Sequence, residues 1–231
     1  MGVFRHALTL GLTIFGVALL SVVPGYAIPR SSVTNVEVTA PPNPTHIPLK
    51  VGDFASAIAL GLVMGPGATA GELAGSAEAT GADPKLTQSA SGQNLRIGDE
   101  LALAMESALK QKGLNAFAVG TGVQPPTARI VLIIEEAGYE RRVWGKIGPK
   151  LTVRVRLLDA ASGDRLWGDT YKYDMVAQTI GWTMLRPPEE FGFDEPEDVL
   201  AHPDVVVAGL RTGIRMIADR AAEDIVGELD R

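Results

Sequence analysis

The chain carries few residues able to do chemistry, and their spacing speaks against most reactions. It has no cysteine, which removes a thiolate nucleophile, a thiolate metal site and a lipidated N-terminal cysteine. Its three histidines are His6, His46 and His202; no pair has ligand spacing, so no metal site is expected. Ser107-Ala108-Leu109-Lys110 matches S-x-x-K, in which a lysine one helical turn on activates a serine. Here the serine falls late in its helix and the companion S-D-N and K-T-G motifs are missing, so a surface serine is the better reading. There is no G-x-S-x-G elbow. Glu135 and Glu136 are neighbours at the end of an apolar run. As strand residues they are expected to point to opposite faces and to end the strand rather than work as a catalytic pair. Gly65-Pro66-Gly67 and Gly71 lack the spacing and the lysine of a phosphate-binding loop. The acidic stretch from Glu189 to Asp198 lacks the alternating pattern of a calcium loop and reads as solvated. No catalytic residue, cofactor or metal is therefore expected.

Two aromatic and basic clusters remain as a candidate interaction surface. Tyr139, Arg141, Arg142 and Trp144 fall in the connection between the two most strand-like runs. Trp167, Tyr171 and Tyr173 alternate along a later strand, and Trp182 follows. Such side chains are enriched in binding hot spots, although aromatics are also favoured as packed strand residues.

The elements that would position them are legible from periodicity. Ile97, Leu101, Ala104, Ala108 and Leu109 make one apolar helical stripe from about Leu95 to Gly113. Asn115 to Val119 reads as a short strand. Ile130 to Ile134 is an unbroken β-branched or leucine run, expected to be a central strand covered on both faces. Leu151, Val153, Val155 and Leu157 alternate with Thr152, Arg154 and Arg156, giving one dry and one wet face. Ser162-Gly163 turns this strand into a return strand from Arg165 to Tyr173. Val207, Leu210, Ile214, Ile217, Ala221 and Ile225 step along one face of a final helix from about Asp204 to Leu229. The expected fold is α+β: a two-layer sandwich, mostly antiparallel, of about four to five strands with two long helices on one face.

The N-terminal region bears on location. Arg5 precedes an uncharged apolar run from Ala7 to Val23, and Gly25-Tyr26-Ala27 supplies a small-residue cleavage pattern. Residues 1–27 thus read as a secretory signal, with an uncleaved inner-membrane anchor over residues 7–23, facing the periplasm, as the alternative. Residues 28–48, rich in proline, read as an extended lead-in, and 49–231 as one domain carrying a flexible Gly/Ala-rich loop at 61–92. That leader holds one of the 21 basic and none of the 27 acidic residues, so the remainder carries net charge −7. A net-acidic chain is a poor nucleic-acid binder.

The helix–Gly–strand unit Leu101 to Val119, the strand Ile130 to Ile134, the hairpin Leu151 to Trp167 and the helix Val207 to Ile225 together resemble a group of small bacterial envelope α+β proteins. These include curli-secretion-type subunits and the auxiliary lipoproteins of ABC transporters. The resemblance implies a non-catalytic assembly, transport-accessory or ligand-contact role. Members often carry a lipidated cysteine and this chain has none, so a soluble periplasmic form fits better. The expected function is a non-enzymatic periplasmic protein contacting an envelope protein or assembly complex. The alternatives are a small-ligand or lipid-binding domain, with its pocket between sheet and helices or under the 61–92 loop, and, behind it, an envelope hydrolase.

Overall fold

The computed structural model describes residues 32–50, 88, 92–141, 145–175 and 181–231. The signal, the 61–92 loop apart from Gln88 and Gly92, and Arg142 and Trp144 lie outside them. In chain order the elements are β1 (Asn35–Thr39), β2 (Leu49–Lys50), α1 (Ile97–Gln111), β3 (Asn115–Ala118), β4 (Ala128–Arg141), β5 (Ile147–Asp159), β6 (Arg165–Tyr173), β7 (Thr183–Leu185), a 3-10 turn (Glu189–Phe191), α2 (Pro196–Ala201) and α3 (Pro203–Leu229). Among the described residues no helix is long and apolar enough to cross a membrane.

The α+β class is observed, but the sheet is larger than expected and mixed. Among the described residues seven strands run in the order β3-β1-β4-β5-β6-β7, with β2 pairing β4 beyond the end of β1. Of these strand pairs β4–β5 and β5–β6 are antiparallel; β1 runs parallel to both β3 and β4, β2 to β4, and β7 to β6. A strand–helix–strand connection returns the chain in the same direction, so β1–α1–β3 closes a parallel pair. Part of the stretch read as a lead-in is therefore β1. Val36 and Val38 are buried there, and Pro41 stops the strand just after its end.

The three long strands carry the core. On one face, Ile130, Leu132, Leu151, Val153, Val155, Leu157, Tyr171 and Tyr173 are buried beneath the helices. α1 packs on α3 and β3, and α3 packs on β5 and β6. The other face of β4 is not covered as expected: Val131 and Ile133 are only half-buried. Their cross-strand partners are Arg156 and Arg154. Long arginine stems can shield apolar neighbours while their heads stay in water, which lets an apolar run occupy a face without a second layer.

The seat of α3 depends on missing side chains. An ideal Cβ on Gly209 would lie 2.4 Å from the Tyr139 hydroxyl, and one on Gly213 would lie 2.5 Å from the Tyr173 ring. Four residues apart, the two glycines share one helix face and let both rings meet the helix backbone. The Tyr139 hydroxyl donates to Val206 O at 3.3 Å.

Candidate functional site

A cleft of about 710 Å³ lies beside β4. Its origin is a break along one sheet edge. The ladder from β1 ends at Thr39–Val131, and the ladder from β2 begins at Leu49–Tyr139. Prolines at 41, 42, 44 and 48 keep the intervening strap from continuing as a strand. The strap instead reaches the start of α1, where Asn43 Oδ1 accepts from Gly98 N at 2.8 Å. That bond satisfies an orphan helix donor for which α1 has no capping side chain of its own. The chain rejoins β4 where Tyr139 N donates to Pro48 O at 3.0 Å. Between the two ladders, 132–138 of β4 faces the cleft without a strand partner on that edge among the described residues. Strap prolines, Ile133 and His46 line the cleft.

Charges form the rest of its lining. Lys150 Nζ lies 2.5 Å from Glu140 and 3.1 Å from Glu136, and Lys50 Nζ lies 3.6 Å from Glu136. Thr152, itself buried, donates to Glu136 at 3.4 Å. Arg154 pairs with Glu135. Glu135 and Glu136 do not end their strand, nor do they part to opposite faces: both reach cations of the outer sheet face. A register shift between Ile134 and Glu136 explains this, because an extra residue on one strand resets its alternation. Partial burial pushes the Glu136 carboxyl up. The hydrogen bond from Lys150 and the charges of Lys150, Lys50 and Lys172 outweigh it, holding the group below its ordinary 4.5. Lys150 is held above its ordinary 10.5: desolvation pulls it down, but Glu140 and Glu136 more than compensate. At neutral pH Glu136 can accept hydrogen bonds and balance a cation, but cannot donate a proton.

Glu136 contributes stability that is present above about pH 4.5 and lost as pH falls through its lowered value; Lys150 contributes stability present below 10.5 and lost as pH rises beyond it. Lys150→Met should lower the urea midpoint at pH 7 and flatten its fall on acidification. An unchanged acid limb in the variant would show that the pair does not carry this dependence.

The structure disperses the residues anticipated as a contact surface. Tyr139, Tyr171 and Tyr173 are at most 1% exposed, so they belong to the core rather than to an open face. Burial pushes all three hydroxyls well above the ordinary tyrosine value. The register explains this: Tyr171 and Tyr173 stand opposite Val153 and Leu151 on the helix side. Arg141 is half-buried and donates to Asp194 O at 2.8 Å, with Glu195 at 3.3 Å. Trp167 is partly buried against the core. Trp182 is 42% exposed, with Lys172 Nζ 4.9 Å from its ring centroid. Lys110 pairs with Glu106 at 2.6 Å. His202 stacks on Phe193 with ring centroids 6.4 Å apart. Sequence reasoning missed Lys50, Glu136, Glu140 and Lys150 as one group. The available signal was the proline cluster, which forbids strand continuation between two runs able to pair with the same neighbour.

No family model matches the sequence, and no curated protein matches it. Solved structures are similar in outline. One is a Xanthomonas campestris protein of the family DUF330, with TM-score 0.49, 11% identity, and 90% of this chain and 92% of that one covered. Another is a PelC dodecamer from Paraburkholderia phytofirmans, with TM-score 0.31, 14% identity, and 83% and 90% covered. A third is a lipoprotein from Neisseria meningitidis, with TM-score 0.24, 12% identity, and 60% and 81% covered. The likeness is one of outline, to a DUF330 protein, PelC and a lipoprotein, in line with the weak resemblance its sequence pattern carries.

Proposed function

We propose that this chain is a non-enzymatic envelope protein that holds a short extended segment of a partner protein in the cleft beside β4. The observation that carries the reading is the run 132–138 of β4, left without a strand partner on one edge while a cavity lies alongside it. An extended peptide is the ligand whose main chain can satisfy a row of strand amides and carbonyls. Seven residues of strand span roughly 23 Å. β1 and β2 lie in line at either end, so the guest is a short stretch or a chain terminus. The apolar run 7–23, inside the leader read over residues 1–27, supports an exported location for this role. A lipid or small ligand is the second reading, favoured by the cavity's size and apolar walls, which suit a compact ligand.

Ile133→Trp tests the site. The side chain lines the cleft and is only half-buried, so a larger ring fills space without entering the core. Partner affinity is expected to fall at least about tenfold, with the melting temperature nearly unchanged, because one misfilled pocket costs about 1.4 kcal/mol or more. Undiminished affinity in a folded variant would remove the cleft from the interface. Trp144→Ala and Trp167→Ala test the surface anticipated from sequence: weakened binding in either would put the contact there instead of in the cleft.

A further inference from the structure

We infer that the outer sheet face carries an oxyanion-binding site of phosphate type, centred on Arg156 and Arg165 above Gly168. On that face Arg156 stands between Val131 of β4 and Gly168 of β6. Its Nε is buried and has no hydrogen-bond partner among the described residues. Neighbouring cations are satisfied: Arg154 pairs with Glu135, and Arg129 lies 3.1 Å from Glu37. Arg156 has no such carboxylate among the described residues. A guanidinium donor withdrawn from water without a partner is costly, and an anion on the outer face of the same guanidinium would offset that cost.

The second cation is brought in by a register shift. Leu158 pairs with Arg165 while Leu157 pairs with Trp167, so β6 bulges at Leu166. The bulge puts Arg165 over Gly168: its Nη2 donates to Gly168 O at 3.1 Å, and its Nε lies 3.1 Å from where a Gly168 Cβ would be. Among the described residues Arg165 also has no carboxylate partner. With no side chain at Gly168, the Arg165 guanidinium takes the space over it, next to Arg156, which is the cross-strand partner of Gly168. Two forked guanidiniums side by side on one sheet face, neither paired with a carboxylate among the described residues, suit a phosphate oxyanion, which accepts several charge-assisted hydrogen bonds at once. This site is separate from the cleft, whose cations Lys50 and Lys150 are already neutralised by Glu136 and Glu140.

The test follows the arginine Nε–Hε resonances of the full chain, labelled with nitrogen-15, during titration with inorganic phosphate. In a second arm, vesicles of phosphatidylglycerol are compared with phosphatidylcholine by co-sedimentation. Saturable movement of the Arg156 and Arg165 resonances, lost or weakened at least about tenfold in Arg156→Gln and Arg165→Gln, is expected. Arg156→Lys should keep part of the affinity, and Arg220→Gln, on the far helix, all of it. Response to phosphate identifies a free anion as the ligand. Response only to phosphatidylglycerol, with the same dependence on Arg156, identifies a lipid headgroup. No saturable response in either arm, or binding indifferent to Arg156→Gln in a variant with unchanged melting temperature, overturns the site.

Discussion

Gly213→Val is expected to prevent stable folding, with a loss above about 3 kcal/mol. The first added carbon would lie 2.5 Å from Cδ1 of Tyr173, 2.8 Å from Cε1 and 3.0 Å from Cγ. That ring cannot yield, because Tyr173 is fully buried and its strand partner Leu151 is buried too. Either α3 lifts from the sheet or β6 moves, and each exposes core. Gly213→Ala places only that first carbon and should cost less, about 1–3 kcal/mol. Tyr173→Leu, which removes the obstructing ring, should recover part of the Gly213→Ala loss; a double-mutant cycle by urea unfolding measures the coupling. A Gly213→Val protein with an unchanged midpoint would mean that α3 does not sit on Tyr173 as described.

Tyr139→Ala is expected to cost about 3–5 kcal/mol, the range for truncating a large buried aromatic. The ring does three things at once. It fills the space over Gly209, its hydroxyl donates to Val206 O, and it packs at a 5.9 Å centroid distance against Phe193. Phe193 in turn forms a backbone bridge with Ile147 at the start of β5, so the loss should spread to the segment before α2. Tyr139→Phe keeps the packing and removes one hydrogen bond, for a loss of about 1 kcal/mol. Equilibrium unfolding separates the contact role anticipated from sequence from the core position observed for this residue. A contact residue would leave the midpoint intact and weaken partner binding; a core residue does the opposite.

The long elements were legible because their periodicity is strong. α1, β5 and α3 lie within a few residues of where the apolar stripes and the alternation put them. Of the short parallel strands, β3 was legible at Asn115 to Val119, but β1 was not. β1 contributes Val36 and Val38 in five residues, too few to outweigh the prolines that follow, and its partner β3 lies some eighty residues away. A strand of that length is defined by its neighbours, not by its own sequence. The tyrosines show the same limit: alternation placed Trp167, Tyr171 and Tyr173 on one face, but sequence alone could not say that this face meets the helices. Glu135 and Glu136 were misread because a bulge breaks the two-residue period, and nothing local announced it. The cleft depends on both failures: its edge is the gap between two short strands, and its charge sits where the bulge turns Glu136 toward Lys150.

The central claim is that the cleft beside β4 holds a segment of a partner. The most direct measurement places a photo-crosslinking amino acid at Thr45, an exposed strap residue lining that cleft, and in a parallel strain at Trp182, with irradiation in cells. The account predicts a specific protein adduct from Thr45, mapped by mass spectrometry to one short segment of an envelope protein and suppressed by Ile133→Trp. An adduct from Trp182 with none from Thr45 would contradict it and place the contact on the β7 edge of the sheet.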